Sequence, residues 1–139
     1  MSPLSAVAVF STEEACGGTV TVKGKSAEND VTGTFEEATE HIVPIYGLYN
    51  NDTTEVVITL DDGTSATFEV TTEDIGVDYG TIQTEMKSEA SYDYSNLTFV
   101  CSTMGTLYGV DAAGDIRFFT NIGGTLGVHQ LENGHLLMP

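Results

Sequence analysis

Leu107–Pro139, LYGVDAAGDIRFFTNIGGTLGVHQLENGHLLMP, reads as two hairpins in succession. Leu107–Asp111 and Ile116–Thr120 are short apolar and aromatic runs joined by Asp-Ala-Ala-Gly-Asp, in which Gly114 supplies the backbone freedom of a turn. Leu126–Leu131 and His135–Met138 are two more, joined by Glu132-Asn133-Gly134. Asn-Gly favours positive φ at adjacent positions, which a tight hairpin turn requires. The last run ends three or four residues after pairing would begin. That pattern is expected of the front of a longer protein, a small sandwich followed by the opening strands of a propeller.

Working outward, the rest of the chain is also β in character. Thr19–Lys25 (TVTVKGK) alternates, with Val20 and Val22 on one face and Thr19, Thr21 and Lys23 on the other. Leu4–Phe10 is a short β-prone run, and Ser26–Glu40 reads as a long polar connection in which Thr34-Phe35 pairs briefly. Ile42–Tyr49 contains Pro44, which cannot donate to a ladder, so this strand belongs at an edge or a bulge. Gly47 marks a bend or a close backbone approach, and Tyr46 and Tyr49 are expected to cap the core. Asn50–Asp52 is a turn. Glu55–Leu60 and Ser65–Val70 form the clearest hairpin, with Val56, Ile58 and Leu60 opposite Ala66, Phe68 and Val70 across Asp61-Asp62-Gly63. Asp61 and Asp62 lack the alternating acids of a calcium loop, so they belong to the turn.

From Glu73 the texture changes to scattered acids among glycines, with Ile82 and Met86 spaced for one helical turn, and strands resume at Leu97–Thr103. The reading is therefore all-β: an Ig-like sandwich over 1–72, an acidic linker over 73–94 and propeller-like strands over 95–139.

Composition narrows the function. Lys+Arg number 4 against 21 Asp+Glu, a net charge of −17, which repels phosphate and argues against nucleic acid. No stretch has the length of a membrane helix, and Ser5–Phe10 lacks the basic flank of a signal peptide. Asn51-Asp-Thr53 and Asn96-Leu-Thr98 fit the glycosylation sequon. Cys16, in a Gly-containing loop, and Cys101, inside a strand, leave open whether they pair. No motif for a nucleophile elbow, a phosphate loop or a dinucleotide appears, and no cofactor is expected. His41, His129 and His135 lack the companions of a zinc set, so no metal is expected; His41 reads as an exposed strand-entry residue and His135 as a solvent-side one. Arg117 could hold a sulfate or carboxylate, or pair with a neighbouring acid such as Asp115.

The run YGVDAAGDIRFF followed by HQLENGHLL resembles the bacterial aryl-sulfate sulfotransferases, and TVTVKGK and IVPIYGLY resemble the N-terminal β-sandwich of that family. Phe118 departs from the family, which often shows Trp there. The resemblance implies a parent that moves sulfate from a phenolic ester to a phenol acceptor through a histidine intermediate, and implies export to the periplasm or beyond. It groups 107–111 and 116–120 as outer strands of one blade and 126–131 and 135–138 as inner strands of the next. The catalytic residues then come from later blades, so this chain alone is expected to be inactive, with no catalytic residue of its own. His129, on an innermost strand, is the one candidate for lining the substrate channel. Unpaired tail strands are expected to make a homo-oligomer, a dimer in its simplest form. The competing reading is a non-catalytic secreted sandwich that binds a protein or a glycan; several downstream repeats resembling HQLENGHLL would decide for the first, a stop codon at Pro139 for the second.

Overall fold

The computed structural model describes residues 2–77, 97–101, 105–121, 129–131 and 136–137. Strands β1 (Ser5–Val22), β2 (Val31–Tyr46), β3 (Thr53–Leu60) and β4 (Ser65–Thr71) form one antiparallel sheet in the order β2-β1-β3-β4. Strands β5 (Thr98–Cys101), β6 (Thr106–Val110) and β7 (Ile116–Asn121) form a second, and β8 (His129–Gln130) pairs with β9 (Leu136–Leu137). The all-β, Ig-like sandwich reading holds.

The sandwich comes from two strands far longer than their sequence suggests. Ser5–Phe10 and Thr19–Val22 are one strand, carried through Ser11–Gly18 by register shifts against β2. Bulges of this kind bend a strand and increase its twist. The N-terminal half of β1 thereby brings Ala8 and Phe10 over Ile58 and Phe68, while its C-terminal half pairs with β3.

The polar stretch after Ser26 is likewise strand rather than connection. After a single 3-10 turn at Ala27–Asn29, β2 starts at Val31, and Val31–Thr34 pair with Val22–Thr19. This part of β2 shows no apolar alternation because it lies at the sheet edge with little to bury; the ladder to β1 holds it. Further on, alternation returns, with His41, Val43 and Ile45 buried and Ile42, Pro44 and Tyr46 outside. Pro44 sits on an edge strand, as its missing N–H demands.

Gly47, with φ +88°, turns the chain out of β2 against the Val31 side chain. In the β3–β4 turn Gly63 has φ +89°, Leu60 N donates to Thr64 O at 2.8 Å, and Asp62 Oδ1 accepts from Thr64 N at 2.7 Å. That backbone N–H holds the exposed Asp62 carboxyl below its ordinary range. Asp61 and Asp62 serve the turn.

The core is shared between the two larger sheets. Leu4, Val22, Val43, Ile45, Leu48, Val56 and Ile58 join Val110, Ile116 and Phe119 in one buried cluster, with Ile75 and Val77 packed at its margin. Ser2 Oγ reaches across to donate to Phe119 O at 2.8 Å. The possible helical turn at Ile82–Met86 lies outside the described residues.

Ile58→Ala should cost about 2–4 kcal/mol, since the deleted atoms leave a hole in this cluster. Thr59→Ala, on the opposite face, should change stability by about 0.5 kcal/mol or less. Urea unfolding of the two variants checks this; equal losses would contradict the inward direction of Ile58.

Candidate functional site

The most densely bonded polar group among the described residues is Arg117, whose side chain is fully buried. Its direction follows from a bulge. Gly109 pairs with Phe118 and Val110 with Ile116, so Arg117 is the extra residue between them. The alternation breaks there, and Ile116 and Arg117 both turn inward.

Inside, Arg117 Nε donates to Gly47 O at 2.6 Å. Its Nη1 donates to Asn29 O at 2.9 Å, Tyr49 Oη at 3.0 Å and Asp111 Oδ2 at 3.0 Å. The guanidinium also lies over the Tyr49 ring at 3.9 Å from its centre. Nη2 is buried with no hydrogen-bond partner.

Asp111 is fixed from its other oxygen: Oδ1 accepts from Ala113 N and Asp115 N, both at 3.0 Å, closing the Asp-Ala-Ala-Gly-Asp turn in which Gly114 has φ +93°. The ion-pair partner of Arg117 is therefore Asp111 and not Asp115. Asp115 pairs instead with Lys25 Nζ at 2.8 Å, a bond that raises the lysine's pKa. Lys25 in turn lies over the Tyr49 ring at 4.8 Å, and its backbone N donates to Tyr49 Oη at 2.8 Å. Burial pushes the Tyr49 phenol above its ordinary value, against the opposite pull of the Lys25 N–H and the Arg117 charge. Thr72 Oγ1 donates to the Tyr49 carbonyl. Its two cations, Arg117 and Lys25, are each paired with a carboxylate, and the Tyr49 and Thr72 hydroxyls are engaged in internal hydrogen bonds. What it can do is hold the β6–β7 hairpin against the sandwich.

Two other features carry potential chemistry. His41 is buried, not exposed. It is the cross-strand partner of Phe10, stacks on that ring at 4.6 Å, meets Phe35 edge-on at 5.2 Å, and places Nε2 3.4 Å from Thr12 Oγ1. An open apolar cleft of about 360 Å³ lies between the N-terminal half of β1 and the β3–β4 hairpin, floored by Ala8, Phe10, Ile58, Leu60 and Phe68. Its lining carries no charged side chain.

The sequence profile described as "Arylsulfotransferase Ig-like domain" matches residues 1–79. The chain belongs to the arylsulfotransferase family. No curated protein and no solved structure matches it.

The match covers the whole four-stranded sheet of this arylsulfotransferase domain, together with Asn29, Gly47 and Tyr49, the sandwich side of the arginine junction. Arg117 and Asp111 lie beyond it. Of the residues singled out from sequence, His129 falls on β8 opposite Leu137, while His135 lies outside the described residues. Cys16 and Cys101 are both free thiols, and Cys16 lies inside β1 rather than in a loop. Tyr46 does not cap the core but is half exposed; Tyr49 does the internal work. Among the described residues no group of His, Cys, Asp and Glu is arranged to hold a metal ion, and no helix is long and apolar enough to cross a membrane.

Sequence reading missed the junction for a definable reason. Arg117, one of four basic residues, and Asp111 were visible as opposite charges flanking a turn. Only the bulge decides that the arginine points into the sandwich, and alternation cannot reveal a bulge.

Proposed function

We propose that the chain is the N-terminal portion of an exported aryl-sulfate sulfotransferase that moves sulfate from a phenolic ester to a phenol acceptor, and that by itself it turns nothing over. The observation carrying this reading is the family match over residues 1–79. In the reaction, an imidazole nitrogen of the parent attacks sulfur and the phenolate leaves. The acceptor phenol then gives up its proton and attacks sulfur in turn, freeing the imidazole. Guanidinium and imidazolium donors stabilise the charge on the transferring oxygens.

No residue of this chain is assigned to that attack. His129 is proposed to line the channel. The division at 72 and 95, with propeller strands in the second part, belongs to the same proposal. So does self-association along the edge of the short β8–β9 hairpin. The arginine junction supports an accessory role for the sandwich, since it fixes a hairpin of the second part on the first.

A chromogenic phenyl sulfate with a phenol acceptor tests the reading. The 139-residue chain should release no phenolate above background, and the protein translated from the intact reading frame should release it. Release by the short chain that disappears in His129→Ala would overturn the inactivity. No release by the longer protein would overturn the sulfotransferase assignment.

A further inference from the structure

Strand β1 is flanked on both sides over only part of its length. Gly18–Val22 pair with both β2 and β3, whereas Ser5–Ser11 pair with β2 alone. In an antiparallel ladder every second residue turns its N–H and C=O to one neighbour and the residues between turn theirs the other way. On that other side of Ser5–Ser11 no described strand meets them. The apolar cleft of about 360 Å³ lies along the same side. Ala8–Thr12 form one wall, and Ile58, Leu60, Ala66 and Phe68 of the β3–β4 hairpin form the floor. Of the floor only Ile58 is buried; Leu60 and Phe68 are half-buried and Ala66 is exposed.

We propose that this cleft takes an extended segment of another protein, added as a strand beside Ser5–Ser11, with alternate apolar side chains set on the β3–β4 floor and basic residues at its ends. Strand addition needs an open ladder and room for every second side chain. Both occur here side by side. Edge strands are ordinarily blunted by a charge, a proline or a bulge. The run SAVAVFS has no charge and no proline, and the register shifts of β1 begin only after Ser11.

Charge selects the occupant. The lining is uncharged, so the part of the segment inside is uncharged too. Acids stand where each wall leaves the cleft: exposed Glu13 and Glu14 follow Thr12, and exposed Asp61 and Asp62 lie between Leu60 and Thr64. A segment with lysine or arginine beyond its apolar stretch meets them. A second copy of the chain, at −17 with 4 basic residues, meets them with more acid. A small apolar molecule would use the floor and leave the β1 edge unpaired. The proposal is independent of the sulfotransferase reading, which needs no partner protein.

An acetylated synthetic peptide of alternating valine and threonine with lysines at both ends tests it, by titration calorimetry and amide hydrogen exchange on the full chain. Binding is expected, with exchange within Ser5–Ser11 slowed about tenfold or more. Raising salt from about 0.05 to 0.5 M should weaken it. Peptides with threonine in place of valine, or glutamate in place of lysine, should each bind about tenfold or more weakly. On the chain, Ala66→Lys puts a charge on the cleft floor from an exposed position and should lower affinity about tenfold. Thr67→Lys, exposed on the other face of β4, should stay within about twofold. Should Ala66→Lys alter the circular dichroism spectrum, Glu13→Gln with Glu14→Gln decides, with about threefold weaker binding and a shallower salt dependence expected. No binding, binding without slowed exchange in Ser5–Ser11, equal affinity for the glutamate peptide, or protection of those amides that rises with chain concentration alone, the mark of a second copy, would overturn the proposal.

Discussion

Arg117→Met is expected to destabilise the chain by about 3–5 kcal/mol, read as a lowered urea midpoint at unchanged slope. Methionine fills much of the same volume, so the loss is not mainly one of packing. It comes from what remains behind. Asp111, 3% exposed, keeps its turn bonds through Oδ1 but loses the cation facing Oδ2. The carbonyls of Gly47 and Asn29 lose donors in a place that water does not reach. Arg117→Lys should recover less than half of the loss. An ammonium cannot place donors on Gly47 O and Asn29 O together while lying flat on the Tyr49 ring. Arg117→Met combined with Asp111→Asn should be less harmful than the sum of the two single changes, because the second removes the orphaned charge. A single Arg117→Met variant within about 1 kcal/mol of the wild type would mean that the junction contributes little to the fold.

Gly18→Ala should be nearly as damaging, at about 3 kcal/mol. Gly18 lies in β1 where it pairs with both Phe35 and Leu60, so backbone hems it in on two sides. A Cβ there would come within 2.3 Å of Thr59 O and 2.7 Å of the Phe35 ring. The ring can rotate aside. The carbonyl is part of the β1–β3 region and moves only with the strand. Gly33→Ala is the internal control, since its nearest contact would be Val20 Cγ1 at 3.6 Å, an ordinary separation. That variant should be neutral or slightly stabilising, because alanine restricts the unfolded chain. Thermal melting of the pair checks the contrast, and equal melting temperatures would contradict the close approach at Gly18.

Much of this fold was legible wherever local chemistry decides. Asp62-Gly63 and the Asp111–Asp115 turn announced their hairpins because positive φ needs glycine, and Pro44 announced an edge. Residues 11–18 and 26–40 were not legible. Their strands are held by ladder bonds to a distant partner, with little apolar surface to imprint a period. His41 failed for a related reason: its burial comes from Phe10 and Phe35, and no local signal says that both rings will fold over it. The junction needed a register that only the paired strands set. Family membership was readable from TVTVKGK and IVPIYGLY, both inside the matched residues 1–79, whereas the tail runs that also resemble the family lie beyond the match.

The arginine junction also orders events in time. Gly47 O and Asn29 O wait for a donor 70 and 88 residues further along the chain. At synthesis rates of about 5–20 residues per second, Arg117 is added several seconds after Asn29 and Gly47. During that interval the hairpin side of the sandwich core is open and the two carbonyls are served by water. Contacts of such long sequence separation also close late in refolding, since chain entropy must be lost before they form. The four-stranded sheet therefore closes its side of the shared core only once Arg117 and the β6–β7 hairpin have been made.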